Sequence, residues 1–221
     1  MKNLPTTNPH RSVKYIKKSF AKHYIEGVLD YEKFYNEINY ISPGVHIRAH
    51  YSECLDLLED GNSWLDAGCG CGHYIKQAIH DKNIKLFGMD VVDKSVAIAI
   101  KNGISCIKHS ISELFPYDDE TFDLVTSTDV LEHLCPQDVD VALSEIYRVL
   151  KFDCHAMLAP HTKPDRIGVL HLTAKPKQWW VEQCEKAGFT FVRYFPRTAK
   201  STGYHKKGIL LNKRCFSPLH L

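Results

Sequence analysis

The sequence predicts an α/β fold: a doubly wound, mostly parallel sheet of seven strands with one antiparallel strand, preceded by N-terminal helices. Three observations predict it. Short apolar runs alternate with stretches of helical periodicity from about residue 60 onward. A glycine-rich turn over 68–72 follows the first run and opens a helix. The last two runs are joined without a helical segment between them. Alternating strands and helices give parallel strands with right-handed crossovers. A connection without a helix suits a long hairpin, which leaves one strand antiparallel.

In chain order, residues 13–38 space Tyr, Phe and Ile among Lys and Glu at helical intervals, which predicts an amphipathic helix. Ser42-Pro43-Gly44 breaks it, and 45–60 resume the helical pattern. The predicted strands are 63–67, 84–89, 104–107, 122–127, 155–159, 189–195 and 208–212. The predicted helices between them are 72–81, 93–102, 137–150 and 175–187. Thr173 is the expected cap of the last helix and Trp179-Trp180 its first turn; one tryptophan is expected in the core and the other at a cleft. The expected organisation is an N-terminal helical part over 1–60 and one compact sheet domain over 61–221.

Composition agrees with a globular chain: 44% of the 221 residues are hydrophobic and 24% charged. No apolar run reaches the roughly 20 residues of a membrane helix. The first residues are basic and lack the apolar stretch of a secretory leader, so the expectation is a cytoplasmic chain with no membrane partner. The net charge of +2 hides an asymmetry: residues 1–25 and 186–221 hold 14 of the 28 Lys and Arg and none of the 26 acids. Such ends suit an anionic partner, or are simply solvated.

The eight cysteines form no C-x-x-C pair, so neither a zinc ribbon nor a thioredoxin-type site is expected. They read as buried thiols in a reducing compartment. The histidines show no H-E-x-x-H spacing, and Glu132-His133 lacks the other partners of a metal motif, so no metal is expected.

The turn reads WLDAGCGCGHY over 64–74. Gly68, Gly70 and Gly72 let the backbone bend sharply and let a ligand approach. A dinucleotide fingerprint would need glycine at 73, where this chain has His73, which argues against a nicotinamide oxidoreductase. Asp66, two residues before Gly68, suits an ammonium or sulfonium ligand better than a pyrophosphate. Asp90 ends the next strand, 20 residues beyond Gly70. Its carboxylate suits a pair of ribose hydroxyls, or else caps the helix starting near Asp93.

The D-A-G-C-G-C-G run (66–72), Asp90 and FDLVTSTDVLEHL (122–134) resemble a class I S-adenosylmethionine-dependent methyltransferase of Rossmann-like fold. The closest flavour is the small-molecule group with an LEHL segment after the fourth strand. The resemblance covers roughly residues 60–190. It implies S-adenosyl-L-methionine as cofactor, held by Asp66, Ala67, Gly68, Gly70, Gly72, Asp90, Val91, Ser110, Ile111, Thr128 and Asp129. Within that set Asp66 would face the ammonium, Asp90 the ribose and Val91 the adenine. Where the family often carries an acid for the adenine amino group, this chain has Ser110 and Ile111. Residues 1–60 would form a lid, with Tyr15, Tyr24, His46, Arg48 and Tyr51 as candidates and Arg48 the best partner for an anion.

Methyl transfer is an in-line displacement, so positioning dominates and a base is needed only for a protonated nucleophile. The candidate bases are His133, His161 and His171, with Asp129 a weaker one; His133 also reads as a backbone-bonding residue. His161 and His171 bracket a loop after the fifth predicted strand. The segment 171–188 is similar to methyltransferases found beside sugar and surface-polysaccharide enzymes. The expected acceptor is a small polar molecule, anionic or sugar-like. RNA methylation and a non-catalytic nucleoside-binding subunit are the competing readings. DNA adenine methylation is disfavoured, because 126–132 reads TSTDVLE and not an N-P-P-Y type motif.

Overall fold

A computed structural model describes residues 13–26, 28–38, 49–164, 168–195 and 208–214. Its central strand is the five-residue run SWLDA. All five residues are buried, as a strand covered on both faces requires. Counting strands and helices along the chain makes this strand β3 (Ser63–Ala67). It is followed by α4 (His73–Ala78), β4 (Lys85–Asp90), α5 (Asp93–Lys101), β5 (Ser105–Lys108) and β6 (Phe122–Thr128). A short 3-10 turn (Leu131–His133) leads to α6 (Pro136–Val149), β7 (Leu150–Ala159), α7 (Lys177–Lys186), β8 (Thr190–Tyr194) and β9 (Ile209–Asn212).

The seven strands stand in the order β5-β4-β3-β6-β7-β9-β8. β3 runs parallel to β4 on one side and to β6 on the other. The chain winds outward from β3 to β5, then returns to start again at β6. Strand order therefore reverses between β3 and β6, and a crevice opens at their carboxyl ends. β9 is antiparallel to both β7 and β8, the single antiparallel strand the sequence predicts.

Alternation along the strands divides the core between the two faces. Leu65, Val125 and Leu158 join a cluster with Val139, Leu143 and Ile146 of α6 and Trp180 and Cys184 of α7. Their neighbours Trp64, Leu124 and Met157 point the other way, to Tyr51, Ile75, Val96 and Ala99. Val139, Ala142, Leu143, Ile146 and Val149 are the buried stripe of α6, with Pro136 pre-set for its first turn.

Several predicted elements are corrected. Residues 13–38 are not one helix. They form α1 (Val13–His23), a two-stranded hairpin of β1 (Tyr24–Ile25) and β2 (Val28–Leu29), and α2 (Tyr31–Glu37). Glu26 takes φ 52° before Gly27, the residue pattern of a two-residue hairpin loop. Asp30 caps α2 by accepting from the Lys33 N–H at 3.0 Å. The helix within 45–60 is α3 (Ala49–Leu55), and 45–48 lie outside the described residues. β7 starts five residues earlier than its apolar run, because exposed Phe152 and left-handed Asp153 (φ 57°) sit at a register shift against β6. Among the described residues no helix is long and apolar enough to cross a membrane.

Candidate functional site

A cavity of about 320 Å³ opens where strand order reverses, and residues after β3, β4, β5 and β6 line it together with α2 and α3. Its floor is the glycine turn. Gly68, Gly70 and Gly72 all take left-handed backbone, with φ of 81°, 55° and 70°. The N–H groups of Gly68 and Cys69 both donate to the Met89 carbonyl, at 2.9 and 3.0 Å, which ties the turn to the end of β4. A Cβ on Gly68 would stand 2.3 Å from Val130 Cγ2, so the turn and the segment after β6 meet with no room for a side chain.

Asp90 joins the turn to the next loop. Its Oδ2 accepts from the Gly70 N–H and its Oδ1 from the Val92 N–H, both at 2.9 Å. Burial pushes its carboxyl above the usual range, while the Val92, Gly70 and Val91 N–H groups pull the other way. The N-cap position of α5 is Val92, not Asp90. A carboxylate offers about four acceptor sites, so Asp90 keeps capacity for donors from the cavity it lines.

Asp66 is also buried and lines the cavity. Its Oδ1 accepts from Tyr51 Oη at 2.9 Å and from Thr126 Oγ1 at 2.7 Å. Thr126 Oγ1 in turn accepts from Trp64 Nε1 at 3.0 Å. These donors are neutral, so they orient the carboxylate without cancelling its charge. Thr128 also lines the cavity, and its Oγ1 is buried with no hydrogen-bond partner. Asp129 holds φ 62°, a left-handed conformation that costs a non-glycine residue roughly 1–2 kcal/mol and recurs at binding sites.

Of the residues expected to hold a cofactor, Asp66, Gly68, Gly70, Asp90, Val91, Ser110, Ile111, Thr128 and Asp129 line this one cavity. Ala67 and Gly72 do not. Ala67 packs in the core, and Gly72 starts α4 where a Cβ would meet Ile104 Cγ1 at 2.7 Å. Both serve the turn from behind. Tyr51 lines the cavity, whereas Tyr15 and Tyr24 do not; His46 and Arg48 lie outside the described residues. Tyr31, Tyr35, Tyr74 and His109 line it without having been singled out in the sequence. Tyr31 and Tyr35 stand four apart on α2, one face of a helix, a spacing hidden by reading 13–38 as a single element.

The three candidate histidines, separated by up to 38 residues of sequence, gather at one edge of this cavity. His133 lines it. The ring of His171 meets that of His133 edge-on at 5.1 Å and stacks on that of His161 at 4.6 Å. His133 Nδ1 is 2.9 Å from the Leu170 carbonyl, and His171 Nδ1 is 2.7 Å from that of Lys163. A carbonyl only accepts, so both Nδ1 atoms donate. Tyr31 Oη donates to the His133 carbonyl, and the Tyr35 ring stands edge-on to His133 at 6.4 Å.

Thr173 does not cap α7, whose N-cap is Pro176. It is fully buried, and it clamps the loop before α7 onto the 3-10 turn instead. Its N–H donates to the Glu132 carbonyl at 3.0 Å and its Oγ1 to the Leu134 carbonyl at 2.7 Å. Thr173→Val leaves the Leu134 carbonyl short of a donor. It is expected to lower unfolding free energy by about 1–3 kcal/mol, read as a shift in urea midpoint. Trp180 is in the core; Trp179 is partly buried against it, with Lys175 Nζ 5.9 Å from its ring, and neither lines the cavity.

The donor set suits a sulfonium nucleoside. It combines a buried carboxylate at Asp66, a half-buried one at Asp90, an unpartnered buried hydroxyl at Thr128, and a side-chain-free turn against Val130. Comparison with known proteins agrees. Residues 65–158 match the family described as methyltransferase domain. The chain is 29% identical over 137 residues to phosphoethanolamine N-methyltransferase 2 of Caenorhabditis elegans, covering 57% of this chain and 30% of that protein. It spans less than half the length of the curated relatives it matches. A TehB-like S-adenosylmethionine-dependent methyltransferase from Corynebacterium glutamicum shares the fold, with TM-score 0.60 and 19% identity over 83% of this chain and 96% of that one. Haemonchus contortus phosphoethanolamine N-methyltransferase 2, solved with phosphomonomethylethanolamine and S-adenosylhomocysteine, superposes with TM-score 0.52 and 22% identity over 60% of this chain and 34% of that one. In its reversing strand order, its alternating-glycine turn and this match over 65–158, the chain is similar to methyltransferase domains of Rossmann-like fold.

Proposed function

We propose that this protein methylates a small polar acceptor, anionic or sugar-like, and belongs with the small-molecule methyltransferases that carry an LEHL segment (here 131–134). One observation carries the reading: a single cavity is lined by Asp66 and Asp90 together with Thr128, Asp129, His133, Tyr31 and Tyr35. The first group fits the donor and the second fits an acceptor. The relatives named for phosphoethanolamine support a small, charged acceptor.

When bound, S-adenosylmethionine supplies an activated methyl carbon. The chain's own work is then to hold and orient. Asp90 accepts from the ribose hydroxyls, and Val91, Ser110 and Ile111 flank the adenine. The backbone of Gly68 and Gly70 admits the methionine portion, and Asp66 attracts its ammonium. Thr128 and Asp129 border the methyl group. His133 Nε2 accepts the proton of an acceptor hydroxyl or amine, with its ring fixed by Leu170. Residues 1–60 act as a lid whose α2 brings Tyr31 and Tyr35 over the acceptor, and 61–221 are the catalytic domain. Seven described cysteines are free thiols, which suits a reducing, cytoplasmic setting.

The test is transfer of labelled methyl from S-adenosylmethionine into a cell metabolite extract and, separately, into total RNA, with products read by mass spectrometry. The expected result is one labelled small polar product. Label in RNA alone, or S-adenosylhomocysteine binding with no transfer to either pool, would contradict it.

A further inference from the structure

Glu132, His161 and His171 come from three stretches of chain: the turn after β6, the segment after β7 and the loop before α7. One carboxylate oxygen of Glu132 and one ring nitrogen of each histidine all lie within 4.8 Å of one another. We propose that these three side chains bind one divalent transition-metal ion, as an open-sided His-His-carboxylate site adjoining the cavity through His133.

The geometry needs little adjustment. Metal–ligand bonds of about 2.0–2.2 Å put neighbouring donors roughly 3–3.5 Å apart, so the cluster closes by rotations of side chains already facing one another. Burial points the same way. Glu132 is fully buried beside the two imidazole rings, which stack at 4.6 Å.

The supporting contacts match what a metal-binding histidine requires. His171 Nδ1 donates to the Lys163 carbonyl at 2.7 Å, which fixes the ring and leaves Nε2 as the ligand atom. The Thr173 clamp on the Glu132 and Leu134 carbonyls holds the loop of His171 against the turn of Glu132. Two imidazoles and one carboxylate favour Zn²⁺, Co²⁺, Fe²⁺ or Mn²⁺ over Mg²⁺ or Ca²⁺. Three protein ligands leave coordination positions open. An oxygen of the acceptor would fill one, a step that rests on the methyl-transfer reading above.

None of the sequence motifs flags this site, because its ligands follow no local spacing and only the fold assembles them. The experiment uses the full chain, stripped with chelator and titrated with Co²⁺, read by visible absorption and calorimetry. The expected result is one equivalent bound with the spectrum of a nitrogen–oxygen site. His161→Ala and His171→Ala should each weaken it at least about tenfold, while still binding S-adenosylhomocysteine as the unmodified chain does. The proposal is overturned if the unmodified chain takes up no stoichiometric Co²⁺. Equal binding in both variants overturns it too, as does a thiolate-to-cobalt absorption band, which would assign the metal to cysteines. Loss of S-adenosylhomocysteine binding by the unmodified chain would count against the methyltransferase reading and not against the metal site.

Discussion

Asp90→Ala will weaken both S-adenosylmethionine and S-adenosylhomocysteine by at least about tenfold in calorimetric titration, because the proposed assignment makes Asp90 the acceptor for two ribose hydroxyls. The same carboxylate receives the Gly70 and Val92 N–H groups, so the loss includes a slackening of the turn. The chemistry also sets a pH dependence. Burial raises the Asp90 carboxyl above its usual value of 3.8 in the free protein. Ribose hydroxyls donate best to the ionised form, so ligand binding favours loss of that proton. Affinity is therefore full above the raised pKa and falls as pH drops through it. Asp90→Asn should abolish that acid limb while costing less affinity than Asp90→Ala. A tenfold loss that is absent in Asp90→Ala, or an acid limb that persists in Asp90→Asn, would remove the ribose assignment.

The second large effect is expected at Gly68. Its φ of 81° costs an alanine roughly 1–2 kcal/mol. The new Cβ would also press on Val130, 2.3 Å from Cγ2 and 2.8 Å from Cγ1, which adds roughly 1–3 kcal/mol of overpacking. Gly68→Ala should therefore lose about 2–5 kcal/mol of stability and lose measurable cofactor binding. Gly68→Ala combined with Val130→Ala separates the two causes. Unfolding measurements should recover part of the packing loss and none of the backbone loss. A single variant as stable as the unmodified chain would show that the turn is looser than its geometry implies.

The sheet was legible because its strands are short, apolar and punctuated: each predicted strand from 63 to 212 overlaps an observed one, and the helix-free link before β9 foretold its direction. Asp66, Gly68, Gly70 and Asp90 were legible for a related reason. A ligand at a strand's carboxyl end is served by the few residues next in sequence, so local spacing carries the information. The N-terminal elements were not. Tyr24-Ile25 and Val28-Leu29 fit a helical period as well as a hairpin, and only the Glu26-Gly27 pair distinguishes them. Thr173 has the look of a local cap because threonine commonly is one, yet its hydroxyl reaches Leu134, 39 residues back. The histidine cluster was likewise hidden. His161 and His171 stand out in sequence only by their loop, but their nearness to Glu132 depends on β6 and β7 being neighbours in the sheet.

The most direct measurement is a crystal structure of the protein with S-adenosylhomocysteine. The expected result has the ribose hydroxyls within hydrogen-bonding distance of the Asp90 carboxylate and the amino-acid end over Gly68, near Asp66. The nucleoside seated elsewhere, with the space between that turn and Thr128 empty, would contradict it.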